Sequence, residues 1–328
     1  MSRKLSYSKA LREALYEEMK NDENVIVLGE DMATMGSVFG ITTGFLEEFG
    51  PNRIMDTPIS ESGFTGMAVG AAMRGVRPVV EWMYNDFISV CLDPVMNQAA
   101  KLKYMTGGQV TVPIVFRAPM GAGRRNAGQH SQCLEALFTH IPGLKVVCPA
   151  TPKDAKGLLK AAIRDNDPVV FLEHKLLYAK KGEVPEEEYI IPLGKAEVKK
   201  EGTDVTIISW SRQLLFSLDA AKELEKSGIN AEVLDLRTLV PLDWDAIKAS
   251  VTKTRHVVVV EEGVRRGGIR AEISAEIMEE LFDELDAPVE RVAGLNIVSP
   301  FSPTLEDEAF PNEKDIVDAV KKVLNIRG

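Results

Sequence analysis

Two carboxylates, a histidine and a pair of arginines stand where this 328-residue sequence could do chemistry. Glu61 follows Asp56-Thr57-Pro58-Ile59-Ser60 and leads into a helix-forming run, Gly63 to Arg74, that carries Gly63, Gly66 and Gly70 and almost no bulk. Each such glycine costs a helix roughly 0.5–1 kcal/mol relative to alanine, so the run predicts close approach by another backbone or a flat ligand. A lone carboxylate entering an apolar helix is placed to be desolvated, which favours the protonated form a general acid needs. Spacing alone favours a plainer role, complementing the positive end of the helix dipole. Glu30 closes the apolar run Val25-Ile26-Val27-Leu28-Gly29, beyond the carboxyl end of an expected strand, where ligands gather in parallel α/β sheets. By itself it reads as a solvated loop carboxylate. His130 follows the loop Gly121-Ala122-Gly123-Arg124-Arg125-Asn126-Ala127-Gly128, which has neither a closing Gly-Lys-Ser/Thr nor Rossmann spacing. That loop reads as a mobile one with two arginines.

The elements that must position these residues alternate. Val25–Leu28, Val76–Trp82, Val112–Arg117, Lys145–Cys148 and Val169–Leu172 are continuous apolar stretches, the signature of buried parallel strands. Helical patterns fall between them, near Leu5–Met19 with Ser8 at its start, over Asn85–Tyr104 and over Lys153–Arg164. Around residues 175–203 the composition turns polar and acidic, marking a boundary. The reading is a first domain over 1–178, a linker over 179–203 and a second α/β domain over 204–328. In the last, strands at Val205–Ser209, Ala231–Leu236 and Val257–Val260 alternate with helices near Leu214–Lys226 and Trp244–Val251. Helices Ile269–Leu285 and Lys314–Leu324 cover its faces.

Composition narrows the function. A net charge of −10 argues against nucleic acid and against a polybasic membrane surface. No apolar run approaches a membrane span, no signal region opens the chain, and the three cysteines, Cys91, Cys133 and Cys148, show no metal or disulfide spacing. A reducing cytoplasm fits. A nicotinamide dehydrogenase would need a Gly-x-Gly-x-x-Gly turn and a hydrolase a Gly-x-Ser-x-Gly elbow, and both are missing. An enzyme, or half of one, whose chemistry belongs to a bound cofactor remains.

Over nearly its whole length the chain resembles the beta subunit of the thiamine-diphosphate-dependent first component of 2-oxo acid and acetoin dehydrogenase complexes. Carrying the resemblance are Val27-Leu28-Gly29-Glu30, Asp56-Thr57-Pro58-Ile59-Ser60-Glu61, Gly70-Ala71-Ala72-Met73, Gln129-His130-Ser131-Gln132, Pro142-Gly143-Leu144-Lys145-Val146-Val147 and Leu236-Arg237-Thr238. It implies two doubly wound α/β domains, a pyrimidine-binding domain followed by a transketolase C-terminal-like domain, in an α2β2 heterotetramer. Glu61 matches the carboxylate that hydrogen-bonds N1′ of the cofactor's pyrimidine and drives its tautomerisation. Phe87 matches the aromatic stacked on that ring, Glu30 and Met83 match positions near it, and His130 matches a histidine lining the active-site channel.

The same resemblance implies an oxidoreductase akin to pyruvate dehydrogenase (acetyl-transferring), passing an acyl group to a lipoyl domain. Its partners would be an alpha subunit and the subunit-binding and lipoyl domains of a dihydrolipoyl acyltransferase core. No Gly-Asp-Gly occurs in the sequence, so Mg²⁺ and the diphosphate would be held mainly by the alpha subunit. Relatives hold a potassium ion on carbonyl oxygens, at positions matching Ile114, Ala162, Asp165 and Asp167. Glu276, Glu279, Glu280 and Asp283, in a stretch without Lys or Arg, would face the basic subunit-binding domain; the plainer reading is a solvated helix face. Gly123–Gly128 and Glu173-His174-Lys175-Leu176-Leu177-Tyr178 depart from the animal pyruvate pattern, which leaves pyruvate, acetoin and branched-chain 2-oxo acids open as substrates. A non-catalytic scaffold subunit is the alternative, for which Glu61, Phe87 and His130 would have no use.

Overall fold

The apolar runs become parallel strands in two separate units of a computed structural model that describes residues 2–326. The first unit comprises the chain up to Met120 together with Leu137–Leu193; the second comprises Gly121–Ala136 and the residues from Gly194 onward.

In the first unit parallel strands lie in the order Lys145–Val147, Val169–His174, Val115–Met120, Arg77–Glu81, Val25–Gly29, Ile54–Asp56. Valine, isoleucine and leucine suit strands covered on both faces. Helices Tyr7–Asn21 and Pro152–Arg164 pack together, and buried Lys156 and Lys160 reach Glu17 at 2.6 and 2.7 Å. Ser6, rather than Ser8, caps the first of these by accepting from Lys9 N–H.

Three features differ from the sequence reading. Asn85–Tyr104 is not one helix. It breaks into a 3₁₀ turn Asn85–Phe87, a short helix Ile88–Asp93, a π-helical turn Pro94–Ala99 and a last short helix Leu102–Met105; Pro94 offers no N–H and its ring crowds the preceding turn. Residues 179–203 are not only a linker: Lys181–Pro185 pairs antiparallel with Ser2–Ser6, and Glu197–Lys200 joins the second unit's sheet. The contact division falls after Leu193, and Gly121–Ala136 goes with the second unit.

That second sheet runs Glu290–Gly294, Val257–Val264, Val205–Ser209, Ala231–Asp235, Glu197–Lys200, parallel except for the last strand. Helices Ser211–Glu225, Trp244–Thr254, Ile269–Glu280 and Glu313–Val323 alternate with the strands or follow them. Asn312 and Asp315 form a capping box at the start of the last helix. A short helix Pro303–Ala309, not foreseen, precedes it.

Candidate active site

Strand register builds the site. Gly29 pairs with Asp56 on one side and with Glu81 on the other, so three adjacent parallel strands end in line. Glu30, Thr57 to Glu61, and Trp82 to Met83 therefore emerge on one rim, the carboxyl edge where parallel sheets hold ligands. Gly29 is required there because a Cβ would stand 2.5 Å from the Glu81 carbonyl oxygen.

Glu61 occupies the first turn of helix Glu61–Ala72 and is buried, 7% exposed. Its charge is felt by two neighbours. Burial raises the Glu30 carboxyl above its ordinary range, with Glu61 and then Asp31 adding to the shift. Burial likewise pushes the Cys91 thiol up to about 12, and Glu61 contributes. Glu30 Oε1 and Thr57 Oγ1 are buried without a hydrogen-bond partner among the described residues. Phe87, half-buried at the end of its 3₁₀ turn, meets Tyr84 edge-on at 5.9 Å, and Tyr84 meets Phe39 edge-on at 6.4 Å. Met83 is half-buried beside them in sequence. The fold thus brings Glu30, Glu61, Met83 and Phe87 to one rim. The set suits a flat heteroaromatic ring: an aromatic face, a thioether, a buried carboxylate and a second carboxylate with an orphaned oxygen.

Gly63, Gly66 and Gly70 behave otherwise than expected. They line the exposed face of their helix with Met67; nothing lies within 4 Å of a Cβ at Gly70, and Gly66 would meet only Pro94 at 3.9 Å. At Gly63 a Cβ would crowd the neighbouring Ser60 hydroxyl at 2.6 Å; among the described residues no other segment makes the close approach.

Supporting residues were missed from sequence. Asp56 accepts from Ala33 N–H at 2.6 Å, Thr34 N–H at 3.1 Å and the Thr34 hydroxyl; burial opposes its charge, but these bonds hold its carboxyl below the usual range. It fixes the start of the loop that follows Glu30. Ser37, further along that loop, donates to Glu81 Oε1 at 2.8 Å. Arg117 Nη1 donates to Glu81 Oε2 at 2.7 Å, and its Nε and Nη2 donate to Glu173 at 2.7 and 2.9 Å. Tyr178 also donates to Glu173, at 2.9 Å. The available signal was a charged residue embedded in each of three apolar strands.

His130 lies in Gly121–Ala136 and is described with the second unit. The loop before it is tied, not loose. Ala122 N–H donates to Glu262 at 2.7 Å and Gly123 N–H to Glu306 at 3.0 Å. Beside it opens a cavity of about 400 Å³ lined by Gly128, Ser131, Cys133, Val264, Ile297 and Val298, in which the buried Ser131 Oγ has no partner among the described residues.

The other expected sites are less open. The Ile114 carbonyl accepts from Val169 N–H at 2.9 Å, the Ala162 carbonyl from Asp165 N–H at 3.3 Å and the Asp165 carbonyl from Arg77 at 2.9 Å. Lys145 lies 2.6 Å from the Asp165 carboxylate and 3.3 Å from that of Asp167, which also meets Lys103. On the acidic face Glu279 and Asp283 are exposed and Glu276 is half-buried, its carboxyl raised by burial and by Glu272, Glu280 and Glu279. Glu280 is met by Lys248 at 3.2 Å, a cation from outside the acidic stretch. Among the described residues no helix is long and apolar enough to cross a membrane.

Comparison with known proteins defines the class. Residues 3–181 match the family described as transketolase, pyrimidine binding domain, and residues 194–316 match transketolase, C-terminal domain. A solved split-gene transketolase, described as an inactive beta4 tetramer, shares the fold with a TM-score of 0.81 over 99% of both chains at 24% identity. The beta subunit of acetoin:2,6-dichlorophenolindophenol oxidoreductase from Bacillus subtilis is 49% identical over 99% of this chain and 98% of that one. The pyruvate dehydrogenase E1 component subunit beta of Rickettsia bellii is 50% identical over 98% of this chain and 99% of that one. The chain belongs to the transketolase-like, thiamine-diphosphate-dependent family of pyruvate and acetoin dehydrogenase beta subunits.

Proposed function

We propose that this chain is the catalytic beta half of a thiamine-diphosphate-dependent dehydrogenase for a 2-oxo acid or acetoin, working in the cytoplasm with an alpha subunit and a lipoyl-bearing acyltransferase core. The observation that carries the reading is buried Glu61 with half-buried Glu30, one of whose oxygens is orphaned, and half-buried Phe87 on the carboxyl rim of the first sheet. When bound, thiamine diphosphate supplies a carbanion and an electron sink for breaking the C–C bond next to a carbonyl. Glu61 would hold the proton at the pyrimidine N1′, and its apolar setting keeps that carboxyl away from bulk water. Phe87 would stack on the ring, braced edge-on by Tyr84; Met83 would pack beside it and Glu30 would lie near the same ring. His130, on its tied loop, would move a proton or assist acyl transfer in the channel. A scaffold subunit would gain nothing from a buried carboxylate and a half-buried one with an orphaned oxygen on the same rim.

The exposed glycine face of helix Glu61–Ala72, with Ile59 and Met67 exposed beside it, supports contact with the alpha subunit, which would bring Mg²⁺ and the diphosphate site. A potassium ion at Ile114, Ala162, Asp165 and Asp167 would share its oxygens with Arg77, Lys103 and Lys145. Thermal melting indifferent to exchanging potassium for a large organic cation at constant ionic strength would discard that site. Glu276, Glu279, Glu280 and Asp283 would steer the acyltransferase's basic domain, and a salt-independent affinity would leave them a solvated face.

The test is turnover of pyruvate, acetoin and branched-chain 2-oxo acids by the chain assembled with its alpha partner, with and without Glu61→Gln. Glu61→Gln keeps size and removes the transferable proton. It is expected to lower turnover by about 100-fold or more, the low end of general acid–base contributions. Near-normal turnover by a fully assembled Glu61→Gln enzyme would sink the assignment.

A further inference from the structure

The two-arginine loop is where the sequence departs from the animal pyruvate pattern, and the function above makes no use of its arginines. In the structure Arg125 is the centre of an ionic latch. Its Nη1 donates to Glu306 Oε2 at 2.6 Å, to Asp307 Oδ1 at 2.8 Å and to the Pro303 carbonyl at 3.1 Å, while Nη2 donates to Asp307 Oδ2 at 3.1 Å. Glu306 is 1% exposed and turns its other oxygen to Gly123 N–H, so one buried carboxylate holds both the backbone and the side chain of the loop. Glu262 holds Ala122 N–H just before it. Charge-assisted bonds to a desolvated carboxylate are the strong kind, and a guanidinium fork fits two carboxylates as an ammonium cannot.

The loop needs such holding. Arg125 and Ala127 both sit at positive φ, 60° and 59°, a region non-glycine residues seldom adopt and keep only where surrounding contacts over-determine it. Gly128 lies against Val298, where a Cβ would stand 2.5 Å from that side chain. His130 follows directly, its N–H reaching back toward the Ala127 carbonyl at 3.5 Å.

We propose that Arg125, acting through Glu306 and Asp307, is a positioning residue that fixes the loop conformation presenting His130; this rests on the reading of His130 given above. Loss of the latch frees Gly123 to Gln129 to leave their strained conformation and carries the imidazole with them.

The assembled enzyme is examined as wild type, Arg125→Ala, Arg125→Lys and His130→Ala. In Arg125→Ala, kcat is expected to fall about 10-fold or more, as a misplaced catalytic group does, with KM little changed. The pH limb of kcat that His130→Ala abolishes should shift. Amide hydrogen exchange across residues 121–130 should accelerate while Ala231–Asp235 keeps its protection, and Arg125→Lys should recover part of kcat. Wild-type kcat in Arg125→Ala alongside a crippled His130→Ala overturns the latch and leaves the histidine's role standing. Wild-type kcat in His130→Ala overturns that role and the proposal with it. A loss of kcat in Arg125→Ala with unchanged pH limb and unchanged exchange also overturns positioning.

Discussion

Carboxylates gather at two places on the first unit's sheet, and their surroundings treat them differently. Glu81 and Glu173 sit on strands flanking Arg117, whose guanidinium divides its donors between them, with Ser37 and Tyr178 completing the set. Burial opposes the guanidinium's charge, yet Glu173 and Glu81 raise its pKa above the ordinary value; burial also lifts the Glu173 carboxyl, but there Arg117 pulls against it, a counter-charge Glu30 lacks. Glu30 and Glu61 have no ion-pair partner among the described residues. Glu30's carboxyl is raised by burial and by Glu61 itself, and one of its oxygens has no partner among the described residues. Two buried acids with a cation are a structural device. Without one, Glu30's orphaned oxygen is an unmet demand that a ligand can satisfy.

Breaking the satisfied group should have the largest effect on folding. Arg117→Met strands two carboxylates in the interior and is expected to destabilise the chain by about 3–5 kcal/mol, as removal of one partner from a buried pair does. Denaturant midpoints would show it. An Arg117→Met chain as stable as wild type would erase the contrast between the two places.

Glu30, with its orphaned oxygen, should respond in the other direction. A carboxylate whose folded pKa is raised contributes stability that is full below the ordinary carboxylate range and is lost as pH rises through the folded value. Glu30→Gln removes that loss, so the cofactor-free chain should melt slightly higher than wild type at pH 7 and at the same temperature at pH 4. A lower melting temperature at pH 7 would mean that Glu30 has a stabilising partner after all.

The strand-helix alternation was legible because parallel strands covered on both faces are written as unbroken apolar runs, as in Val25–Gly29 and Val205–Ser209. Motif resemblance singles out Glu61, Glu30, Met83 and Phe87 as candidates, and the register of Gly29 with Asp56 and Glu81 brings the strand ends that lead to Glu30, Glu61 and Met83 to one rim. What escaped depended on distant side chains or on weak local signals. Lys181–Pro185 and Glu197–Lys200 are edge strands of half-buried and exposed residues, Val184 alone being buried, without a buried alternation to betray them. The loop Gly121–Gly128 looked mobile because its restraints, Glu262 and Glu306, lie far along the chain. Asn85–Tyr104 had helical periodicity, and Pro94 overrode it.

The central claim is that this chain holds the pyrimidine half of a divided cofactor site. Its most direct test is calorimetric titration of thiamine diphosphate with Mg²⁺ into the purified chain and then into the assembly with its alpha partner. Glu61, Phe87 and apolar contacts offer a hydrogen bond, a stack and little charge, and no Gly-Asp-Gly is present in the sequence to anchor the metal. Weak or undetectable binding to the chain alone, and tight binding at two sites per α2β2 assembly, are predicted. Micromolar binding by the isolated chain, accompanied by turnover of a 2-oxo acid or acetoin, would contradict the division.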